Sequence, residues 1–261
     1  MDARQPVGIF GGSGFYRFLD DVEELAVDTP YGPPSARIRL GEIDGAGVAF
    51  MPRHGDEHSL PAHRINYRAN VWAMREAGVR RIIGPSACGS LKPELEPGTF
   101  VVCDQFVDRT SGREDTFYDG PQTIHVSAAD PYCPELRRVL VEAGDERVVD
   151  GGTVVVIQGP RFSTRAESRW FAQAGFDVVN MTQYPEAWLA RELGLCYANV
   201  SLVTDYDVGL EGTQPVSADE AFRVFRENLD RLRALLFCAV PKVGPQPDDI
   251  CASALDSAIV H

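Results

Sequence analysis

The sequence contains very little lysine and no long apolar run. Only Lys92 and Lys242 are lysines, so arginine supplies nearly all of the 25 basic residues, which face 38 acidic ones for a formal net charge of −13. Nucleic acids and anionic membrane surfaces bind through grouped Lys and Arg, so this balance argues against both as partners. No apolar segment approaches the ~20 residues of a membrane-spanning helix. The net charge does not exclude a local pocket for a small anion.

Two further absences concern export and cysteine pairing. The first ten residues lack the charged segment and the following apolar segment of a secretion signal. No C-x-x-C pair occurs, and the six cysteines are widely spaced along the 261 residues: Cys88, Cys103, Cys133, Cys196, Cys238 and Cys251. This spacing predicts reduced, mostly buried thiols and a cytoplasmic location.

The known phosphate-binding fingerprints are incomplete. Gly11-Gly12-Ser13-Gly14 follows an apolar run, so its backbone N–H groups and the Ser13 hydroxyl could form a nest for an anion. The dinucleotide pattern G-x-G-x-x-G fails because Arg17 stands where the third Gly is required, and no Walker sequence is present. A plain tight turn explains these glycines equally well.

Hydrophobic periodicity predicts a β-rich beginning followed by alternating strands and helices. The predicted strands are 7–10, 22–27, 35–40, 47–51, 80–84, 99–104, 153–157, 178–179 and 196–203, and the predicted helices are 65–76, 135–143, 164–173, 185–193 and 218–237. We expect Ser163 to cap the third helix. Alternation of this kind favours a mixed α/β sheet covered on both faces. We expect one domain over residues 1–240 and a C-terminal tail over 241–261.

The segment His54-Gly-Asp-Glu-His58 matches the zinc-peptidase pattern H-x-x-E-H. That chemistry needs both imidazoles on one face of a helix, but Pro52, Gly55 and Pro61 disfavour a helix here. The competing interpretation is a loop in which Arg53 and His54 donate to a phosphate. A solvated surface turn is a third interpretation, and no metal is expected.

Two polar segments follow buried strands, where ligands collect in open α/β sheets. Small residues in Pro85–Ser90 let a ligand approach the backbone, and Cys88 there is either a nucleophile or a buried apolar thiol.

Asp205 and Asp207 are two residues apart and point the same way in extended chain. A pair of carboxyls suits a 6-aminopurine, which offers the N7 acceptor and the N6 donor, better than a 6-oxopurine with two acceptors. A loop of solvated acids is the alternative.

Taken together, these segments resemble the methylthioadenosine phosphorylase branch of the trimeric purine nucleoside phosphorylases. The resemblance runs in order from about Val7 to Pro241. It is carried by Gly11–Gly14, Pro52–Gly55 with His58, Ile65–Asn70, Ser86–Leu91, Asp104–Thr110, Gly159–Glu167, Asn180–Thr182 with Pro185-Glu186, and Thr204–Asp207. It implies a single nucleoside phosphorylase-like domain with a twisted, partly barrel-like mixed sheet flanked by helices.

The resemblance also implies a role for each matching residue. The phosphate shell is expected to comprise Ser13, Arg53, His54, Ser86, Ala87 and Thr182, and the ribose and base surface Cys88, Gly89, Phe162, Ser163, Asn180, Met181, Asp205 and Asp207. The pocket for the 5′ substituent is expected to comprise Ala218, Ala221 and Phe222, with His125 contributed by a neighbouring subunit. Asp205 and His54 are the expected catalytic residues.

Three positions depart from the family pattern. Pro85 stands where many members have a hydroxyl residue, which removes one phosphate donor. Ser13 replaces a common Thr and keeps the hydroxyl. Ala218 and Phe222 replace larger and smaller aliphatic residues, which affects the size of the accepted 5′ group.

The activity implied is phosphorolysis of S-methyl-5′-thioadenosine to adenine and 5-methylthioribose 1-phosphate, in purine and methionine salvage, with phosphate attacking C1′ with inversion. No cofactor is expected, because inorganic phosphate is a co-substrate, and a homotrimer is implied. The alternatives are a phosphorylase of broader or 6-oxopurine specificity, a hydrolytic nucleosidase, a zinc peptidase and a non-catalytic purine-binding protein.

Overall fold

The computed structural model describes residues 5–12, 15, 18–19, 22–208, 210, 212, 214–247, 250–256 and 258. Ser13, Gly14 and Arg17 lie outside the described residues, and with them the predicted anion nest. The strands are β1 Val7–Gly11, β2 Glu23–Leu25, β3 Ile38–Ile43, β4 Ala46–Pro52, β5 Arg81–Ser90, β6 Phe100–Val102, β7 Gln105–Arg109, β8 Val148–Asp150, β9 Thr153–Ile157, β10 Val178–Asn180 and β11 Cys196–Tyr206. The α-helices are α1 Tyr67–Glu76, α2 Pro134–Ala143, α3 Arg165–Gln173, α4 Gln183–Glu192, α5 Ala218–Glu227 and α6 Leu229–Ala239.

These strands form one mixed sheet that branches at β5. The main path runs β2-β3-β4-β1-β5-β10-β9-β7, while β11 pairs with β5 and leads on to β6 and β8. Strand β5 serves three neighbours because β1 pairs with its first residues, Arg81–Ile83, and β10 pairs antiparallel with its last, Gly89 and Ser90. Strand β11 runs parallel along all of β5. The predicted α/β class and mixed sheet are confirmed.

Helices cover both faces of this sheet, as the alternating pattern predicts. Side chains of α2 and α6 share one apolar cluster with Cys196, Ala198, Val200 and Leu202 of β11. Side chains of α1 and α4 share another cluster with Tyr197. Successive residues of a strand point to opposite faces, so β11 is buried on both sides from Cys196 to Thr204.

Several element boundaries differ from the sequence prediction. Helix α3 is capped by Thr164 and not by Ser163, through a capping box in which Thr164 and Glu167 exchange hydrogen bonds. The predicted helix 218–237 is two helices, α5 and α6. It breaks at Asn228, whose side-chain amide donates to the Val224 carbonyl at 2.9 Å and so competes with backbone helix bonding.

The two strands that carry the predicted site are longer than expected. Strand β5 continues through Pro85 to Ser90, so its small residues form strand and not loop. Strand β11 continues past Val203 because β5 offers it a partner, with a β-bulge between Val203 and Asp205. The polar stretch after residue 104 contains strand β7, which the sequence prediction missed.

Five of the six cysteines are buried, as predicted, and Cys238 is exposed. Part of the C-terminal tail packs against the domain: Cys251 is buried, and Arg81 donates to the carbonyls of Gly244 and Pro245 at 3.1 and 3.2 Å. Among the described residues, none of the helices combines the length and the apolar character that a membrane crossing requires.

Candidate active site

A cavity of about 290 Å³ opens where the second half of β5 lies between β11 and β10, with α5 along one side. Most of the predicted site residues line it: Arg53, His54, Ser86, Ala87, Cys88, Gly89, Phe162, Ser163, Asn180, Met181, Thr182, Asp205, Asp207, Ala218, Ala221 and Phe222. Ser13 lies outside the described residues. His125 is exposed and does not line the cavity of its own chain.

Sequence reasoning missed some of the cavity wall. The additional lining residues are Gly12, His58, Pro61, Ala62, Ile157, Pro160, Val179, Thr204 and Phe225. Phe225 could have been found, since it lies seven residues after Ala218 and therefore on the same face of α5. The residues from strands β9 and β10 carry no polar signal, and only the topology brings them to the cavity.

The positive charge at one end of the cavity is neutralised by a buried carboxylate. Arg53 is 1% exposed and Glu186 is fully buried. The Arg53 Nε and Nη2 atoms donate to Glu186 at 2.8 and 2.6 Å, and Nη1 donates to the Pro85 carbonyl at 2.6 Å. A guanidinium has five N–H bonds, so among the described residues one remains on each of Nη1 and Nη2 for a ligand oxygen.

Close packing of the backbone makes this ion pair possible. A Cβ on Gly84 would lie 1.9 Å from the Tyr197 hydroxyl oxygen and 3.0 Å from Glu186 Oε1. Tyr197 donates to that same Glu186 oxygen at 2.7 Å. Glycine at position 84 therefore leaves the space in which Glu186 accepts from both Arg53 and Tyr197.

His54 is a neutral acceptor and not the predicted donor. Its Nδ1 lies 2.9 Å from the Leu60 carbonyl, which can only accept, so Nδ1 carries the hydrogen and Nε2 holds a lone pair. Burial lowers the pKa of His54 to about 3. The ring is therefore uncharged at neutral pH and accepts a hydrogen bond from any ligand that meets Nε2.

His58 packs against His54 in a way that excludes the zinc-peptidase interpretation of this segment. The two rings stack with centroids 4.4 Å apart, and the segment between them forms turns and not a helix. His58 itself has a positive φ of 54°. Two stacked imidazoles cannot both direct a lone pair at one ion as the helical H-x-x-E-H arrangement does.

Ser86 lies in a buried hydrogen-bond network beneath the cavity. Its hydroxyl oxygen accepts from Asn180 at 3.2 Å and from Asn199 at 3.1 Å, and it lies 3.1 Å from the Ser201 hydroxyl oxygen. Ser201 donates to Asn199 Oδ1 at 2.8 Å, so the hydrogen between the two serines comes from Ser86. The Ser86 hydroxyl therefore fixes Asn180 in place and must give up its bond to Ser201 before it donates to a phosphate.

Two carboxyls stand at the other end of the cavity. Asp205 lies on β11, and Asp207 follows the strand and is 2% exposed. A Cβ on Gly89 would lie 3.0 Å from Asp205 Oδ1, so the missing side chain at position 89 lets the carboxyl lie against β5. Burial, together with the neighbouring Asp207 and against the opposing hydrogen bond from Thr204, raises the pKa of Asp205 to about 6. Asp205 is thus poised to donate a proton near neutral pH.

Three buried polar atoms in the cavity wall have no hydrogen-bond partner among the described residues: Ser163 Oγ, Asn180 Oδ1 and Asp207 Oδ2. A buried polar atom left without a partner costs ~1–3 kcal/mol. Such atoms are rare in folded proteins, and three in one cavity indicate where a polar ligand bonds.

The side of the cavity formed by α5 is apolar. Ala218, Ala221, Phe222 and Phe225 line it at positions i, i+3, i+4 and i+7 of the helix. Phe222 also packs edge-on against His58, with ring centroids 5.6 Å apart. This wall offers apolar contact and no side-chain hydrogen bond to the part of a ligand that lies against it.

Arg113 braces the loops that form the cavity floor, and sequence reasoning missed it. Its Nη2 donates to the carbonyls of Gln158 and Met181 at 2.9 and 3.0 Å, and its Nη1 donates to the Tyr184 carbonyl at 2.5 Å. One guanidinium therefore ties the end of β9 to the segment that carries Met181 and Thr182.

Cys88 is not a nucleophile in this arrangement. It is 3% exposed, and burial raises the pKa of its thiol well above the usual value. Only the thiolate attacks, so Cys88 belongs to the packed wall of the cavity. The predicted alternative of a buried apolar thiol is the correct one.

Comparison with known proteins identifies the family of this chain. The phosphorylase superfamily model matches residues 6–240. A purine nucleoside phosphorylase from Streptomyces coelicolor is 55% identical over 263 aligned residues, covering 95% of this chain and 94% of the relative. An S-methyl-5′-thioadenosine phosphorylase from Mycobacterium tuberculosis is 56% identical over 241 residues, covering 92% of this chain and 90% of the relative.

A solved structure agrees with these relatives. The methylthioadenosine phosphorylase from Schistosoma mansoni, in complex with adenine, superimposes with a TM-score of 0.90 at 37% identity, covering 97% of this chain and 96% of that one. Sequence and architecture agree over nearly the whole length, so the chain belongs to the phosphorylase superfamily.

Proposed function

We propose that this chain catalyses the phosphorolysis of S-methyl-5′-thioadenosine to adenine and 5-methylthioribose 1-phosphate. The observation that carries the proposal is the pair of partly buried Asp205 and buried Asp207 in one cavity. Asp207 presents an oxygen without a partner among the described residues, and Asp205 has a raised pKa. Relatives that are named for this reaction and are about half identical in sequence support it.

The carboxyl pair recognises the purine edge. Protonated Asp205 donates to N7, and the unpartnered Asp207 oxygen accepts from the 6-amino group. A 6-oxopurine would place a carbonyl oxygen against Asp207, and two acceptors facing each other repel. The pair therefore selects a 6-aminopurine.

The apolar wall of α5 recognises the 5′ substituent. Ala218, Ala221 and Phe222 offer no hydrogen bond to a 5′-hydroxyl, whereas a methylthio group is apolar and gains by leaving water. Burying a hydroxyl without a partner costs ~1–3 kcal/mol. The residues that one chain places at the 5′ end of the cavity thus favour methylthioadenosine over adenosine.

The spacing along β5 suits a nucleoside between a phosphate and a base. Ser86 is beside the phosphate end with Arg53 and His54, and Gly89 is beside Asp205. Three residues of a strand span about 10 Å, which is enough for a ribose with phosphate on one face and purine on the other. Phosphate held at the Ser86 end therefore attacks C1′ opposite the departing base, which inverts C1′.

The proton balance of the reaction is consistent with these groups. The C1′–N9 bond breaks as a phosphate oxygen bonds to C1′ through an oxocarbenium-like state, and Asp205 gives its proton to N7. The proton on HPO₄²⁻ is hydrogen-bonded to His54 Nε2 and leaves to solvent, and Asp205 is reprotonated in the next cycle. The overall reaction consumes the nucleoside and HPO₄²⁻ and yields adenine and the 1-phosphate dianion. Its atoms and charges therefore balance without a further cofactor.

A second candidate is a phosphorylase of broader or 6-oxopurine specificity. It is favoured by the Streptomyces coelicolor relative, which is named a purine nucleoside phosphorylase. A panel of methylthioadenosine, adenosine, inosine and methylthioinosine at saturating phosphate separates the two. We expect methylthioadenosine to have the highest kcat/KM, and a preference for either 6-oxo substrate would favour the second candidate.

We also propose a homotrimer in which His125 reaches the 5′ pocket of a neighbouring copy. It is supported by the exposure of His125 and its separation from the cavity of its own chain. Light scattering combined with the His125→Ala variant tests it: full activity in a monomer, or an unchanged KM in the variant, contradicts it. A cytoplasmic location remains a prediction from the spacing of the cysteines.

A further inference from the structure

Three cysteines that the nucleoside cavity does not use form a buried cluster. The Sγ atoms of Cys133, Cys196 and Cys251 all lie within 4.8 Å of one another. Cys196 begins β11, whereas Asp205 lies nine residues further along the same strand, about 30 Å away at the strand's rise per residue. The cluster is therefore separate from the site described above.

Each cysteine belongs to a different part of the chain. Cys133 immediately precedes α2, Cys196 is the first residue of β11, and Cys251 lies in the C-terminal tail. All three side chains are buried, with 0–1% exposure. No local pattern joins them, so no C-x-x-C pair marks the cluster in the sequence.

The geometry is close to that of a three-coordinate thiolate site. In an equilateral triangle with 4.8 Å sides the centre is ~2.8 Å from each corner, and a zinc–thiolate bond is ~2.3 Å, so each sulfur needs to move by only ~0.5 Å. A disulfide would join two of the sulfurs and leave out the third. Three sulfurs that all lie within 4.8 Å of one another therefore favour one central ion over a single disulfide.

Two buried arginines lie near the cluster, and Arg81 also pairs with Glu135 through Nη2 at 2.9 Å. Arg81 is 2% exposed and pairs with Cys196 in the β5–β11 ladder, and Arg191 is 6% exposed with its Nη1 3.5 Å from Cys251 Sγ. Among the described residues, the Nε atoms of both arginines are buried without a hydrogen-bond partner.

We propose that Cys133, Cys196 and Cys251 bind one soft, thiophilic d¹⁰ metal ion through three thiolates. Sulfur ligands select such ions over Mg²⁺ or Ca²⁺. Three metal–sulfur bonds form, the protons held by the thiols pass to the buffer, and no electron is transferred. Bound metal would fasten the tail, through Cys251, to the starts of α2 and β11.

Anaerobic titration of the reduced full-length protein with Cd²⁺ tests this proposal. Ultraviolet absorption from sulfur-to-cadmium charge transfer should saturate at one ion per chain with the intensity of three Cd–S bonds. Zn²⁺ and Cu⁺, added in separate competition arms, identify which ion binds most tightly. Absence of charge-transfer absorption, or loss of two thiols to a disulfide without metal uptake, would overturn the proposal.

Matched cysteine variants locate the site. Cys196→Ser should weaken Cd²⁺ binding by at least about a hundredfold, whereas Cys238→Ser, which changes the exposed cysteine outside the cluster, should bind as wild type does. Circular dichroism and nucleoside turnover verify that each variant is folded. If Cys196→Ser does not fold, Cys251→Ala in the tail takes its place as the cluster variant. Equal binding by wild type and both cluster variants contradicts the assignment.

The tail provides a readout that is independent of absorption. Trypsin cleavage after the exposed Lys242 releases the segment that carries Cys251. Cd²⁺ should slow the loss of this segment several-fold in wild type and leave the rate unchanged in Cys196→Ser. Equal rates in wild type with and without Cd²⁺ would contradict the fastening of the tail.

Discussion

Arg53 and Glu186 form a two-point ion pair inside the protein, with Nε to Oε2 at 2.8 Å and Nη2 to Oε1 at 2.6 Å. The pair neutralises the charge at the phosphate end of the cavity, where His54 is also neutral. On the proposed function, phosphate at this end would be held by directed N–H groups more than by net charge. Such a preorganised set of donors also suits a transition state in which charge shifts along the phosphate–C1′ axis.

Substitution of Glu186 by Gln should destabilise the protein strongly. The change leaves a buried guanidinium without its counter-charge, which costs about 3–5 kcal/mol of unfolding free energy. Urea unfolding measures the loss. The control is Glu142→Gln, which breaks the exposed Arg138–Glu142 pair and should cost only about 0.3–0.5 kcal/mol. Similar losses in the two variants would show that the Arg53–Glu186 pair is not stabilising.

Asp205 should make the stability of the protein depend on pH. Its pKa rises on folding from 3.8 to about 6, so its stabilising contribution is complete below about pH 4 and is lost as the pH rises through 6. Asp205→Asn removes this dependence. The unfolding free energy of the variant minus that of wild type should increase by about 3 kcal/mol between about pH 4 and pH 8. Urea unfolding at each pH measures this difference. A constant difference across that range would show that Asp205 has an ordinary pKa.

The same titration should appear in the kinetics. Only protonated Asp205 donates to N7, so kcat/KM for methylthioadenosine should fall as the pH rises above about 6. In Asp205→Asn this limb should disappear. The ionisation of phosphate is common to both proteins at the same phosphate concentration and cancels in the ratio of the two profiles. Parallel profiles would exclude Asp205 as the proton donor.

Asp207→Asn should alter the choice of base, because the Asp207 oxygen without a partner among the described residues is the one that faces the 6 position. An amide at this position both donates and accepts, so it removes much of the bias against a 6-oxo group. The ratio of kcat/KM for methylthioadenosine to that for methylthioinosine should fall by about 10–100-fold, corresponding to ~1–3 kcal/mol for one base contact. The exposed Asp130→Asn variant is the control. An unchanged ratio would mean that other residues recognise the 6 position.

Arg113→Lys should lower activity without a contact to the substrate. Lysine cannot donate in the fork that joins the carbonyls of Gln158, Met181 and Tyr184, so the floor of the cavity shifts. A displacement of ~1 Å near the reacting atoms can cost about a hundredfold in rate. Steady-state kinetics should show the loss in kcat/KM in protein that circular dichroism shows to be folded, and Arg138→Lys on the surface should have no effect. A wild-type kcat/KM in Arg113→Lys would remove the positioning role.

The sequence was sufficient for the fold class and for most of the cavity wall, for definite physical reasons. Alternation of strands and helices requires helices on both faces of a sheet, and the ends of β5 and β11 are where ligands collect. Asp205 and Asp207 could be predicted to face the same way from their spacing alone. The fold class and the carboxyl pair depend on local periodicity, which a single sequence contains, whereas most other residues of the cavity wall were expected from the family resemblance.

The features that sequence reasoning missed depend on contacts between distant segments. Nothing near Arg53 indicates that Glu186 neutralises it, and nothing near Cys133 indicates that Cys251 lies beside it. The donor role predicted for His54 was wrong because burial and the Leu60 carbonyl decide its protonation. The break at Asn228 was missed because its apolar flanks continue the helical period across it.

The requirement for phosphate tests the central claim most directly. Purified protein is incubated with methylthioadenosine in phosphate-free buffer and in buffer with phosphate, and adenine and 5-methylthioribose 1-phosphate are quantified. We predict that adenine forms only with phosphate and that each adenine is accompanied by one sugar 1-phosphate. Equal release of adenine in both buffers, with free methylthioribose as the second product, would show a hydrolase and contradict the proposed function.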